Sequence, residues 1–266
     1  MPLRDRFDLV ILDWAGTTVD FGCQAPVLAL REAFARRGVA VTDAQVRRDM
    51  GRAKVDHVRA MLSDPVIAQA WSNAQGSPAD ETDVAALMSD LGPLMRDQAA
   101  RAAHLIDGVR VTIEALRAAG IKVASSTGYT RDMMEPVLRE AAAQGYTPDH
   151  LVCAGETLAG RPTPLMIYKA CAELGVWPLT RVVKVDDTET GVAEGRVAGC
   201  FTVGVAASGN IVGLSREALA ALPAAERRAR IRTAEQLLLA AGADVVIDTV
   251  ADLVNVLRAN DRVPAP

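Results

Sequence analysis

The sequence predicts an α/β protein, with a doubly wound, Rossmann-like parallel-sheet core and an inserted helical cap domain. The first observation behind this is a series of short β-branched runs at 8–13 (DLVILD), 121–126 (IKVASS), 151–154 (LVCA), 182–186 (VVKVD) and 201–205 (FTVGV). Each is nearly continuous in apolar character, as in strands buried on both faces of a parallel sheet. The second is the alternation of these runs with helical patterns over 111–119, 131–144, 164–174 and 189–198, closed by Gly120, Gly145, Gly175 and Gly199. The third is one long exception. Between the first run and Ile121 lie roughly a hundred residues with helical character and almost no strand character.

That exception reads as a domain inserted after the first strand, on residues 22–104, with the core formed by 1–21 and 105–266. Thr42 and Gln45 have the spacing of a capping box ahead of a helix running towards Leu62. Further helices are expected over 65–71 and 80–103, with NAQGSPAD (73–80) as a loop between them. The Ala- and Arg-rich stretch 218–241 is expected to be helical.

Composition excludes several classes of function. The chain has 266 residues, 50% of them hydrophobic and 23% charged, with a formal net charge of −4 and interspersed signs. No basic tract points to nucleic acid or an anionic membrane surface. No apolar run approaches the roughly 18 residues needed to span a bilayer. The charged start, Met1 to Phe7, has no secretory pattern. Cys23, Cys153, Cys171 and Cys200 form no CxxC pair, so reduced thiols in a cytoplasmic protein are expected.

Chemistry concentrates where strands end. Asp13 closes the first run and is followed by Ala15, Gly16, Thr17 and Thr18. Ligands of open α/β sheets bind beyond the carboxyl ends of the strands. A carboxylate there can attack phosphorus if a cation offsets the repulsion. Alone, such an Asp could equally cap the turn. Three more segments favour the chemical reading: Ser125, Ser126 and Thr127 after the second strand; Arg161 in GRPTP, with Lys169 as a possible alternative; and Asp186 and Asp187 after the fourth strand, beside Thr188 and Glu189. Hydroxyls and an Arg suit phosphoryl oxygens, and adjacent carboxylates suit Mg²⁺, a hard cation.

This ordered set resembles the motifs of the haloacid dehalogenase superfamily over residues 7–205. Its phosphatases and mutases carry a second Asp two positions after the nucleophile; here that position is Ala15. A side chain that cannot titrate can neither protonate a leaving alkoxide nor activate water. An ordinary phosphatase or phosphomutase acting on another phosphometabolite is therefore the weaker alternative, and a non-catalytic phosphometabolite sensor on the same fold weaker still.

In the inserted interval, RRDMGRAKVDHVRAM (47–61) reads as one helix with Met50, Lys54, His57 and Met61 on a single face. That face suits a lid over the sheet, where a desolvated Lys would have its neutral amine favoured. For an arbitrary helix such a Lys would more often be a solvated surface residue. The stretches FDLVILDWAGTTVDFGCQAPV, MGRAKVDHVRAML, SSTGYTRDMM, AGRPTP and VVKVDDTETG are, however, similar to those of the phosphonoacetaldehyde hydrolase family. The resemblance implies Asp13 as nucleophile and Lys54 as Schiff-base amine; His57, one turn on from Lys54, is placed to act as proton carrier. It places Mg²⁺ on Asp13, the Ala15 carbonyl and Asp187. It sets Thr127 and Arg161 around the phosphoryl group of a small phosphonate substrate, with Cys23, Met50, Gly51 and Tyr129 nearby. It further implies a homodimer joined through the cap. The superfamily's second acid, four residues beyond Asp187, is replaced by Gly191, and Asp186 or Glu189 is expected to compensate.

Overall fold

The computed structural model describes residues 2–260, and within them a six-stranded parallel sheet runs in the order β3-β2-β1-β4-β5-β6. The strands are β1 (Leu9–Leu12), β2 (Lys122–Thr127), β3 (His150–Cys153), β4 (Val182–Asp186), β5 (Phe201–Val205) and β6 (Val245–Ile247). β1 lies at the centre, with Leu9 in register with Lys122 on one side and Val182 on the other. The strand order reverses beside β1, so a crevice opens there beyond the carboxyl ends of β1 and β4.

Burial explains the continuous apolar runs. All four β1 residues are fully enclosed, and they alternate between two cores. Leu9 and Ile11 join Val152, Met166, Ile167 and Ala170. Val10 and Leu12 join the larger core, which continues through Trp14 into Leu30, Phe34, Trp71 and Leu87. Burying a side chain of this size contributes about 1.5–3 kcal/mol, so a polar residue in β1 would lose its place on either face.

The interval after β1 is helical, as expected: α1 (Gln24–Arg36), α2 (Asp43–Arg47), α3 (Lys54–Ser63), α4 (Pro65–Gln75) and α5 (Glu81–Arg101). The Thr42–Gln45 capping box is present at α2. The chain leaves and re-enters the core side by side, with the Asp20 amide donating to the Ala102 carbonyl and the Ile106 amide to the Thr18 carbonyl. α4 continues to Gln75, into the stretch expected to be loop, and stops at Gly76.

The continuous helix expected over 47–61 is not formed. α2 ends at Arg47 and α3 begins at Lys54. Between them Gly51 takes φ +90°, and a β-carbon on it would meet the Thr188 hydroxyl of the core at 2.4 Å. A left-handed backbone packed against the Thr188 side chain overrides helical periodicity here.

The remaining core helices are α6 (Val109–Ala118), α7 (Arg131–Ala143), α8 (Leu165–Leu174), α9 (Glu189–Ala198), α10 (Arg216–Ala221), α11 (Ala224–Ala241) and α12 (Leu253–Ala259). The stretch 218–241, expected to be helical, is so in two pieces divided at Pro223, which starts a new helix better than it continues one. Strand β6, which completes the sheet edge, and α12, which packs against α6, had no clear mark in the sequence. No helix among the described residues is long and apolar enough to cross a membrane.

Candidate active site

Asp13 follows β1 directly, and its amide donates to the Val185 carbonyl of the neighbouring strand at 3.0 Å. Its buried carboxylate accepts from Arg161 Nη1 at 2.7 Å. Arg161 uses every edge of its guanidinium: Nε donates to Glu194 Oε2 at 3.0 Å, and Nη2 to the Ser126 carbonyl and Oγ at 2.7 and 2.9 Å. Asp186 Oδ2 lies 3.2 Å from the same Nη1. Lys184, inside β4, extends under this array and pairs with Asp186 at 3.0 Å and Glu194 at 3.2 Å.

Asp187 points elsewhere. It accepts from the Thr17 hydroxyl at 3.0 Å and the Asn210 amide at 2.7 Å, and it has no ion pair among the described residues. Four buried carboxylates (Asp13, Asp186, Asp187, Glu194) thus face two buried cations (Arg161, Lys184). Two negative charges are left over. Burial and neighbouring carboxylates push Asp13 up to about 6 and Asp187 well above the usual range. Asp186 is held low, because Arg161 and Lys184 outweigh its burial. Carboxylate oxygens of Asp13, Asp186 and Asp187 lie within 4.8 Å of one another. An all-oxygen set with that excess charge fits a hard divalent cation.

Gly191 has a steric reason. A β-carbon there would fall 2.0 Å from the Asp186 carboxylate. The carboxylate reaching in from β4 therefore occupies the place where a side chain from α9 would stand. Glu189, the other compensating residue expected, is exposed. Lys169 is also removed from consideration, since it lies on the outer side of α8 and pairs with Glu173.

One small cavity gathers Asp13, Ala15, Cys23, Met50, Gly51, Lys54, Thr127, Tyr129 and Arg161, together with Gly128 and Thr188. Lys54 is buried, with Nζ 5.1 Å from the centre of the Tyr129 ring and no carboxylate partner among the described residues. Burial, aided by the charge of Arg161, brings its ammonium down to about 8. Its place in the first turn of α3 acts in the same direction, because a helix N-terminus disfavours positive charge. Burial drives the Cys23 thiol and the Tyr129 phenol well up, so both are neutral. Thr127 Oγ1 accepts the Tyr129 amide at 3.2 Å, which leaves its hydroxyl proton for the cavity.

His57 sits one turn beyond Lys54, fully buried, but does not line the cavity. Its Nε2 bonds the Val46 carbonyl at 2.8 Å and Nδ1 has no partner among the described residues. Burial and the nearby Lys54 push it down to about 3, so the ring is neutral.

Lys184, Glu194 and Asn210 were not read from the sequence as site residues. Lys184 had a signal, a lysine within the otherwise apolar VVKVD strand. Glu194 and Asn210 had none, because their roles exist only through partners distant in the chain.

Fold and site define a class: a capped, doubly wound α/β protein with a carboxylate-rich cleft at the switch point of its sheet. Comparison with known proteins agrees. A haloacid dehalogenase-like hydrolase model matches residues 7–199. A phosphonoacetaldehyde hydrolase of Bacillus thuringiensis is 42% identical over 253 residues, covering 95% of this chain and 96% of that protein. One of Syntrophobacter fumaroxidans is 44% identical over 249 residues, covering 94% and 90%. The crystal structure of a phosphonoacetaldehyde hydrolase-like protein from Oleispira antarctica, 44% identical, superposes with a TM-score of 0.93 over 96% of this chain and 92% of that one. The chain belongs to the phosphonoacetaldehyde hydrolase family of the haloacid dehalogenase-like hydrolases.

Proposed function

We propose that the enzyme hydrolyses the carbon–phosphorus bond of phosphonoacetaldehyde, giving acetaldehyde and phosphate. The observation that carries this reading is Lys54: a buried amine without a counter-ion, opening on the same cavity as Asp13. The names of the relatives support the substrate.

A carbanion is too poor a leaving group to depart unaided. The neutral Lys54 amine adds to the aldehyde carbon, and loss of water gives a protonated imine. Asp13 attacks phosphorus, and the C–P electron pair moves into the imine to form an enamine. Arg161 and the Thr127 hydroxyl stabilise the phosphoryl oxygens as charge shifts. Water then cleaves the aspartyl phosphate and restores Asp13. The enamine takes up a proton on carbon, and hydrolysis of the resulting imine releases acetaldehyde and frees Lys54. No alkoxide leaves, so Ala15 needs no titratable group.

Asp13, the Ala15 carbonyl and Asp187 are the residues to hold Mg²⁺, which when bound supplies charge neutralisation for the phosphoryl group. His57, neutral, outside the cavity lining and bonded to the Val46 carbonyl, is assigned to seating α3 beside Lys54 and not to the proton transfer expected of it. Met50, Gly51, Cys23 and Tyr129 shape the apolar side of the cavity. Residues 22–104 act as the cap, and exposed Leu28 and Val66 on α1 and α4 suit its pairing in a homodimer. Four free cysteines suit a cytoplasmic setting.

The test is incubation with phosphonoacetaldehyde and Mg²⁺, with phosphate and acetaldehyde both measured, repeated in borohydride. Equimolar products and a reduced adduct on Lys54 are expected. Turnover unaffected by borohydride, with no adduct, would rule out the imine.

A further inference from the structure

Arg47, the last residue of α2, is a half-buried guanidinium that pairs with no carboxylate among the described residues. All its acceptors are neutral oxygens. Nη1 donates to the Gly22 carbonyl at 2.8 Å and to Asn210 Oδ1 at 3.2 Å, with longer contacts at 3.4 Å to the Cys23 and Asn210 carbonyls. Nη2 donates to the Gly213 carbonyl at 3.0 Å. Asn210 returns the bond, its Nδ2 donating to the Arg47 carbonyl at 3.0 Å. These partners belong to two parts of the chain, the segment at 22–23 that enters the helical interval and the loop after β5, so Arg47 joins both to α2. Gly213 has φ +63°, and a β-carbon on it would meet Arg47 Nε at 2.8 Å, so the loop is shaped around the guanidinium.

Two consequences meet at this residue. From Arg47 the chain runs through six residues outside helix to Lys54, so Arg47 anchors the base of the segment that presents the amine. Asn210, clasped by Arg47 through its side chain, donates its backbone amide to Asp187 Oδ2 at 2.7 Å. We propose that Arg47 is a positioning residue that couples the seating of the Lys54 segment to the orientation of Asp187, through Asn210. A guanidinium whose hydrogen bonds all go to neutral oxygens fixes geometry, besides the favourable charge it offers the buried Asp20. The pairing across cap and core makes the cation site and the amine site depend on one contact. The consequence for Mg²⁺ rests on the function proposed above; the coupling to the 209–213 loop does not.

The experiment uses the full-length enzyme and the variants Arg47→Met, Arg47→Lys and Asn210→Ala. Three properties are measured: backbone hydrogen exchange of the peptide covering 209–213, Mg²⁺ affinity by calorimetry, and the rate of borohydride trapping at Lys54. Arg47→Met should raise exchange, weaken Mg²⁺ and slow trapping, each by about tenfold. Asn210→Ala should reproduce the first two, and the double variant should be no worse than the worse single, since the two residues act in one chain of contacts. Arg47→Lys, which keeps a stem and a charge without the fork, should fall between and stands in if the Met variant does not fold. Exchange unchanged in the Arg47 variants overturns the coupling, as does faster exchange with Mg²⁺ affinity within about twofold of wild type. A wild type that binds no Mg²⁺ and releases no phosphate overturns the proposed function instead, and the exchange result alone then decides the coupling.

Discussion

The two walls of the cavity solve opposite electrostatic problems. The wall built by β1, β2 and β4 packs four carboxylates against Arg161 and Lys184, and each charge is bound by hydrogen bonds or ion pairs. The wall supplied by the helical interval holds one amine, Lys54, against an aromatic ring and a thiol, with no ion pair among the described residues. Burial acts on both. On the sheet side pairing offsets it, and the surplus negative charge raises Asp13 and Asp187. On the cap side the charge of Asp13 offsets it only in part, so the ammonium gives up its proton more readily. The lesson is that one cavity can favour a fixed array of charges and a neutral nucleophile together, provided they come from different elements.

The largest expected effects separate the walls. Asp13→Asn should lower phosphate release by on the order of 10⁴-fold or more and leave the Lys54 imine trappable by borohydride. Lys54→Arg, which keeps a charge but cannot form an imine, should lose both release and trapping. Removing Mg²⁺ with a chelator should copy the Asp13 variant and not the Lys54 variant. If chelation also abolished trapping in the wild type, the two walls could not be treated as separate functions.

A smaller effect is expected from Asp186→Ala. Arg161 and Lys184 would stay buried with less counter-charge, and losing one partner of such a network costs about 3–5 kcal/mol. Urea denaturation of both proteins measures it, and a loss below about 1 kcal/mol would show that the array is solvated rather than sealed. Gly191→Ala should cost about 1–3 kcal/mol, because a methyl group there displaces the Asp186 carboxylate. The same substitution in an Asp186→Gly background should be nearly neutral.

The smallest effect is a pH dependence. Below about 8 Lys54 is mainly protonated and cannot add to an aldehyde. The rate of borohydride trapping should therefore rise about tenfold per pH unit towards that value and level off above it. A plateau reached only above pH 10 would mean that the amine is solvated in the working enzyme.

Much of this was legible in local sequence. The apolar run ending at Asp13, the hydroxyls before Gly128 and the paired Asp186 and Asp187 mark strand ends, because strand burial and sheet-end ligand binding leave a short-range imprint. Ala15 and Lys54 named the chemistry through their place in a motif. Lys184 was visible as an anomaly, but its partners were not.

The sequence by itself determined the alternating core, the helical insertion and the functional residues that follow β1, β2 and β4. These follow from side-chain periodicity, which operates over a few residues. Only the tertiary structure decided that 48–53 leave the helix, because Gly51 must pass close to Thr188, more than a hundred residues away in the chain. It alone decided that Asp186 excludes a side chain at 191, and that Arg47 ties the cap to Asp187 through Asn210. Packing and hydrogen bonding between distant segments depend on which surfaces meet, and no local period records that.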